Sequence, residues 1–276
     1  MNPLFVSEIT IYPIKSCGGI AIQSAEFDDY GIKTDRMFMI VDENSIPITQ
    51  RDVPELALVK TELERNSVRV LYRDSSILIP ISDNKPHELY TSVWESAPLS
   101  VADVGAQTDE FFADIINRKC RLVRRSQSYN RLVASGIFTG QHRVAFVDSH
   151  PILIVSRNSV RELNKRLDEP ILPDRFRPNI IIDGDCAPFD EDSWSIFQID
   201  NQFFDFGKRC ARCTVTTINQ QTAQKSKEPL RELANFRRDE RGKVCFGAYF
   251  TNRNTFGSIS TKSTVHIHQS FNNPLT

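Results

Sequence analysis

Apolar and polar positions alternate along the first third of the chain with the period of two that half-buried strands show. Over residues 4–14 the apolar set Phe5, Ile9 and Ile11 falls on odd positions, and Ala21–Phe27 and Met37–Val41 read as further strands. Asp42-Glu43-Asn44 marks a hairpin turn, and Lys15-Ser16-Cys17-Gly18-Gly19 a turn carrying a cation and a hydroxyl. Strand-like pieces recur at 57–64, 67–73, 77–82 and 89–94, the spacing of a small β-barrel or bent sheet. The period lengthens to that of a helix at 109–118. Thr108 offers a cap there, Asp109 and Glu110 suit the positive end, and Phe111, Phe112, Ile115 and Ile116 share one face. The basic run Arg118, Lys119, Arg121, Arg124 and Arg125 reads as one strand with solvated charges, since Leu122 and Val123 interrupt it. Residues 126–143 are polar and turn-rich and predict a hinge between two domains, 1–125 and 126–276.

The second half carries an apolar strand at Ile152–Val155, and Ser159-x-x-Glu162 reads as a capping box for a helix reaching about Leu167. Arg175-Phe176-Arg177-Pro178-Asn179 leads into a strand at Ile180–Asp183. A hairpin, Ile196–Ile199 and Phe203–Phe206 turned at Asp200-Asn201, delivers Lys208–Cys213. The β-branched run Thr214–Ile218 after it predicts another strand, and a helix is expected at 228–236. Strands at 246–249 and 265–268 close the sheet. The pattern is that of an α+β chain, mainly β.

Composition narrows the function classes. Forty per cent apolar and 25% charged residues are ordinary for a globular chain of 276 residues. A formal net charge of −1 argues against a general nucleic-acid binder, so any basic site is local. No apolar run approaches the roughly 20 residues that cross a bilayer. The N-terminus shows neither a charged leader nor an apolar core, so no signal peptide is visible and no membrane partner is expected of these residues. Six cysteines without paired spacing fit a reducing cytoplasm.

The candidate chemistry centres on residues 208–217, K-R-C-A-R-C-T-V-T-T. Cys210 and Cys213 sit among Lys208, Arg209 and Arg212, and nearby positive charge favours a thiolate. A structural zinc site wants a second ligand pair, and Cys17, Cys120, Cys186 and Cys245 are scattered singly. The residues alone leave two readings open, a reactive thiolate and two ordinary buried cysteines. Neither a dinucleotide fingerprint, a P-loop, a nucleophile elbow nor a zincin motif is present. His266 and His268 alternate on a late strand and read as its solvated face. Cations and small polar groups gather at strand ends: Lys15-Ser16, Arg36, Asp148-Ser149, Arg177 with Asn179, and Arg212-Cys213. Guanidinium forks at such ends suit phosphate, which points to a phosphorylated cofactor whose metal needs one protein ligand.

The order I-Y-P-I-K-S, T-D-R, V-W-E-S, F-R-P-N-I, E-D-S-W and C-A-R-C-T-V-T-T resembles the MOSC superfamily across nearly the whole chain. The closer resemblance is to its two-domain group, which includes the mitochondrial amidoxime-reducing component and bacterial reductases of N-hydroxylated bases. The resemblance implies an N-terminal MOSC-type β-barrel domain followed by a MOSC domain built on a strongly bent antiparallel sheet with flanking helices. It implies a molybdenum cofactor, molybdopterin-bound, with Cys213 as metal ligand and catalytic residue. Lys15, Ser16, Arg36, Arg177, Asn179 and Arg212 would hold the cofactor. Asp148 and Ser149 match less closely, because His150 stands where a small residue is expected.

The implied activity is reduction of small N-hydroxylated molecules to amines or amidines. Electrons would come from a separate ferredoxin-, flavodoxin- or cytochrome-b5-like donor. Two other roles go with the resemblance, sulfur transfer to the cofactor and non-catalytic carriage of it. The chain departs from the group in showing no C-x4-C-x2-C run, no membrane-anchoring leader, and Thr261-Lys262-Ser263 where a Gly-Asp turn is common.

Overall fold

The computed structural model describes residues 3–82, 87–94 and 96–271. Among these residues the chain is mainly β, with one eight-stranded sheet, three smaller sheets and three α-helices. Strands cross the large sheet in the order Val265–Ser270, Trp194–Ile199, Gln202–Ala211, Cys245–Asn252, Ile152–Ser156, Ile180–Asp183, Phe5–Ile11, Ile20–Ile22. Neighbours are antiparallel except Ile152–Ser156 with Ile180–Asp183. Parallel neighbours need a crossover, and the helix Arg157–Asn164 lies within it. The first strand of the chain thus sits inside the sheet, bonded to Ile180–Asp183.

Alternation builds the main core. Val6, Ile9, Ile11, Phe197, Phe204 and Phe250 turn to one side of the large sheet and are 0–1% exposed. A bulge between Val6 and Glu8 shifts the register, so Val6 rather than Phe5 points inward. A second core joins helix Ala106–Ile116 to Phe38, Ile40, Val68, Val70 and Leu122. Its centre is the fully buried Phe112, whose truncation to alanine would cost ~3–5 kcal/mol. Strands Lys60–Glu64, Ser67–Tyr72 and Ser75–Pro80 form a meander against this core.

Several expected boundaries move, each for a visible reason. The stretch Ala21–Phe27 is broken, into Ile20–Ile22 and Ser24–Asp28. Residues 57 and 58 end a 3₁₀ turn, Pro54–Leu58, before the next strand starts at Lys60. The first α-helix starts at Ala106, after Gly105 at φ 125°, so Thr108 lies inside it and donates to Gly105 O at 2.7 Å. The second starts at Arg157, because Ser156 caps it by accepting from Ser159 N at 3.0 Å. Ser159 is an interior residue of that first turn. Arg124 is buried rather than solvated, and Arg125 stacks on Tyr30 at 3.7 Å. No helix of the described residues is long and apolar enough to cross a membrane.

The same helix start holds a buried acid. Glu191 accepts from Ser156 N at 3.1 Å and from Ser159 Oγ at 2.8 Å. Burial first, and then the neighbouring Asp192, push its carboxyl from the ordinary 4.5 up to about 7. A carboxyl raised in the folded state contributes stability below 4.5, and that contribution is lost as pH rises through about 7. Glu191→Gln should therefore raise the Tm at pH 8 by several degrees and change it little at pH 4.5. Thermal unfolding at both values checks this, and equal shifts would remove the titration argument.

Candidate functional site

Strand Gln202–Ala211 carries the cysteine motif to one end of the large sheet, and two irregularities aim it. Between Phe206 and Lys208 the strand has an extra residue, Gly207, relative to Cys245–Asn252. A Cβ on Gly207 would lie 2.2 Å from the His150 ring, so only glycine fits. Further on, the partner strand bulges at Gly247, φ 70°, whose Cβ would meet Ile154 O at 2.7 Å. Bulges bend a strand and re-aim its side chains. Here they leave Cys210 buried at 1% and bring the chain out at Ala211, so that Cys213 is exposed.

The run after Cys213 is not a strand. Thr214–Thr217 forms a 3₁₀ turn with Cys213 as its first cap. The threonine hydroxyls bond backwards, Thr216 Oγ1 to Cys213 O at 3.0 Å and Thr217 Oγ1 to Thr214 O at 2.7 Å. That local bonding competes with extended pairing. Arg175 fixes the turn from outside by donating to Thr216 O at 2.9 Å.

Of the nine residues predicted for the site, eight line one pocket: Lys15, Ser16, Arg36, Asp148, Arg177, Asn179, Arg212 and Cys213. Ser149 does not. It is buried, with its hydroxyl 3.0 Å from His150 Nδ1. Lys208 and Arg209 also stay outside, bonded to Ser135 at 2.6 Å and paired with Asp192 at 3.6 Å. Of the three cations expected around the cysteines, Arg212 is therefore the one that lines the pocket with Cys213, and burial pushes the Cys210 thiol up.

Each lining group is held from a distance. Lys15 Nζ donates to Phe146 O at 2.9 Å and to Asp148 at 2.5 Å. Burial lowers its pKa, while Asp148 opposes the shift. Against the desolvation of the pocket, the Lys15 ammonium and its hydrogen bond hold the Asp148 carboxyl down at about 2. Arg36 pairs with Asp35 at 2.6 Å and donates to Arg177 O at 3.0 Å. The Arg36 and Arg177 guanidinium groups both pack against the Tyr12 ring, 4.3 and 4.2 Å from its centroid. Arg212 donates to Phe246 O at 2.9 Å and Phe176 O at 3.1 Å. Asn179 spends its amide within the sheet, accepting from Leu153 N and donating to Thr10 O, both at 3.2 Å. His150 is 1% exposed and stacked on Tyr249; burial and then Lys208 lower its pKa to about 3, so the ring is neutral.

Two features separate this pocket from an ordinary cleft. Six cations line it (Lys15, Arg36, Arg51, Arg175, Arg177, Arg212), and Asp148 is the one carboxylate among the described lining residues. Inside it, Arg177 Nη2 and Arg212 Nη2 are buried without a hydrogen-bond partner. Left-handed backbone also concentrates there: Ser16 at φ 72°, Arg36 at 44° and Arg177 at 53°, none of them glycine. Such conformations cost of order 1–3 kcal/mol each and cluster at ligand clamps. The arrangement suits an anion with several oxygen acceptors beside an exposed thiol.

Sequence reasoning missed Arg51, Arg131, Tyr249 and Gln220. Arg131 is buried and donates to Ala145 O at 3.0 Å and Val147 O at 2.6 Å, stapling the loop that presents Asp148. Gln220 exchanges two 3.0 Å amide bonds with Gln50, tying the turn after Cys213 to the first half of the chain. No local signal marks these residues, since each is defined by partners far away in sequence.

Residues 4–119 match the MOSC N-terminal beta barrel domain, and residues 141–267 match the MOSC domain. Mitochondrial amidoxime-reducing component 1 of Mus musculus is 29% identical over 281 residues, 95% of this chain and 82% of that one. Mitochondrial amidoxime reducing component 2 of Bos taurus is 30% identical over 245 residues, 84% of this chain and 72% of its own. The molybdenum cofactor sulfurase of Oryza sativa subsp. japonica is 30% identical over 90% of this chain, which spans about a third (32%) of that protein.

Proposed function

The chain belongs to the MOSC family, and on that premise we propose that it is a molybdenum-cofactor-dependent oxidoreductase acting on N-hydroxylated small molecules. The observation that carries this reading is the donor set: one exposed thiol, six cations around it, and two buried guanidinium N–H groups in want of acceptors. A phosphorylated cofactor satisfies all three, which a bare metal ion does not. Among the described residues no three His, Cys, Asp or Glu side chains converge as a metal cage. A single thiolate completing a cofactor's own ligand set fits that arrangement.

Cys213 would bind the metal through sulfur. Arg177 and Arg212 would donate to the anionic group, Lys15 and Arg36 would supply charge, and Ser16 a hydroxyl. Asp148 keeps Lys15 aimed inward, and Asn179 keeps the pocket wall in register. When bound, the cofactor supplies the two-electron chemistry that, with two protons, converts N–OH to N–H and water. The chain's part is position and electrostatics. Six free thiols suit the reducing cytoplasm.

Metal and pterin analysis of protein from a cofactor-producing host, with amidoxime reduction driven by an artificial donor, tests the reading. Full molybdenum content without turnover would overturn it. A separate ferredoxin-, flavodoxin- or cytochrome-b5-like protein would deliver the electrons. Transient redox docking is steered by charge and screened by salt. Turnover with such a donor should fall as salt rises, while turnover with a small reductant stays flat. Equal salt sensitivity with both would move the effect to the pocket itself.

The likeness to a sulfurase, together with the exposure of Cys213, favours one second reading, a persulfide carried on that sulfur. Cyanide-labile sulfur on Cys213 in protein devoid of reductase turnover would select it.

A further inference from the structure

We propose that Trp94, backed by Arg51, is the substrate-facing platform at the mouth of the pocket. It would select planar, conjugated N-hydroxylated molecules over saturated ones. The inference rests on the reductase reading above, and it begins from an exposed side chain held more firmly than exposed side chains usually are. Trp94 is 48% exposed and sits at φ 56°, a left-handed conformation unusual for a bulky residue. Its indole is anchored on three residues that line the pocket. Nε1 donates to Asp148 at 3.3 Å, the Arg51 guanidinium lies 4.1 Å from the ring centroid, and Lys15 Nζ lies 5.8 Å from it.

Those contacts define a surface. The Asp148 bond takes the edge of the indole and Arg51 takes part of its area, yet about half of the side chain stays open to solvent. Arg51 itself is a pocket residue, so the ring stands at the rim and not on a remote face. A fixed aromatic surface loses little entropy on binding and stacks well on another π-face. Amidoximes and N-hydroxylated bases offer one, because their C=N–OH group is planar and conjugated. An alkyl hydroxylamine is tetrahedral at carbon and offers none. Stacking of this kind is worth about two- to tenfold in affinity.

The test compares molybdenum-loaded wild type with Trp94→Ala and Trp94→Phe. Steady-state kinetics on benzamidoxime and N-butylhydroxylamine are combined with molybdenum content and intrinsic fluorescence. The chain's other tryptophan, Trp194, is 3% exposed, so quenching of solvent-exposed emission reports Trp94. Expected for Trp94→Ala is a KM for benzamidoxime about two- to tenfold higher, with kcat and the KM for N-butylhydroxylamine unchanged. Phenylalanine should restore most of the difference. Benzamidoxime should quench the wild-type emission and leave that of Trp94→Phe unaltered. Equal changes in both KM values, no change in either, or absence of quenching would overturn the proposal. Loss of molybdenum in Trp94→Ala would overturn it too, by making Trp94 a cofactor contact. Wild type that turns over neither compound would end the reductase reading, and the quenching titration would still decide whether Trp94 meets a planar ligand.

Discussion

Serine in place of Cys213 is expected to abolish molybdenum retention, while serine in place of Cys210 leaves most of it. The two sulfurs stand in opposite surroundings only three positions apart. Cys213 is exposed, extended, and lines the cation-rich pocket. Cys210 is 1% exposed, and burial holds its thiol in the protonated form that binds metal poorly. A hydroxyl is a hard, weakly acidic donor and a poor substitute for a thiolate on a softer metal. Metal analysis of the two variants, loaded in the same host, checks the expectation. Equal loss would mean a two-thiolate site or a disulfide between them. The Tm separates folding from ligation: Cys213→Ser should leave it nearly unchanged, since its side chain packs in no core cluster.

Arg177→Ala is the second large effect, a roughly ten- to hundred-fold loss of cofactor affinity, from a charged hydrogen bond of ~1.5–3 kcal/mol. The guanidinium is stacked on Tyr12 and its Nη1 donates to Gln220 at 3.4 Å, so the group is already oriented. Its Nη2 is buried with no acceptor, a cost that a bound anion would relieve. Lysine at this position should not restore affinity, because a point charge lacks the planar fork that the stack requires. Equilibrium retention of pterin and molybdenum, measured beside thermal unfolding, checks both variants. Unchanged molybdenum with a large fall in Tm would make Arg177 a structural residue. Lys15→Ala is less clean, since removing the ammonium also takes the ion-pair partner from Asp148 and the donor from Phe146 O.

Much of the fold is legible locally. Alternation over 5–11 reports a strand because a pleated backbone sends successive side chains to opposite faces. Asp200-Asn201 reports the hairpin because that turn accepts left-handed backbone, and Asp200 indeed sits at φ 51°. The residue types of K-R-C-A-R-C and F-R-P-N nominate Arg177, Asn179, Arg212 and Cys213, and those at the ends of other strands nominate Lys15, Ser16, Arg36 and Asp148, all of which line the pocket. Local chemistry, read in order, determines the α+β class, the strand that carries the cysteines, and the family.

Tertiary structure alone decides which of those residues meet. Lys15 reaches Phe146 and Asp148 across more than 130 positions of chain, and Arg36 reaches Arg177 across 141. Such contacts depend on sheet register, which no short window contains. Lys208 and Arg209 are adjacent to the motif in sequence, yet the bulge at Gly207 and the pleat turn them away from the pocket. Arg51 enters from a loop with no motif at all. Thr214–Thr217 has β-branched residues that favour extended backbone, and still closes into a 3₁₀ turn. Hydroxyl bonds back along the chain, and the Arg175 side chain donating to Thr216 O, outweigh a propensity of about 1 kcal/mol. Propensity is a small energy set by neighbours, whereas burial and long-range hydrogen bonds are larger and set by the fold, so the latter decide the site.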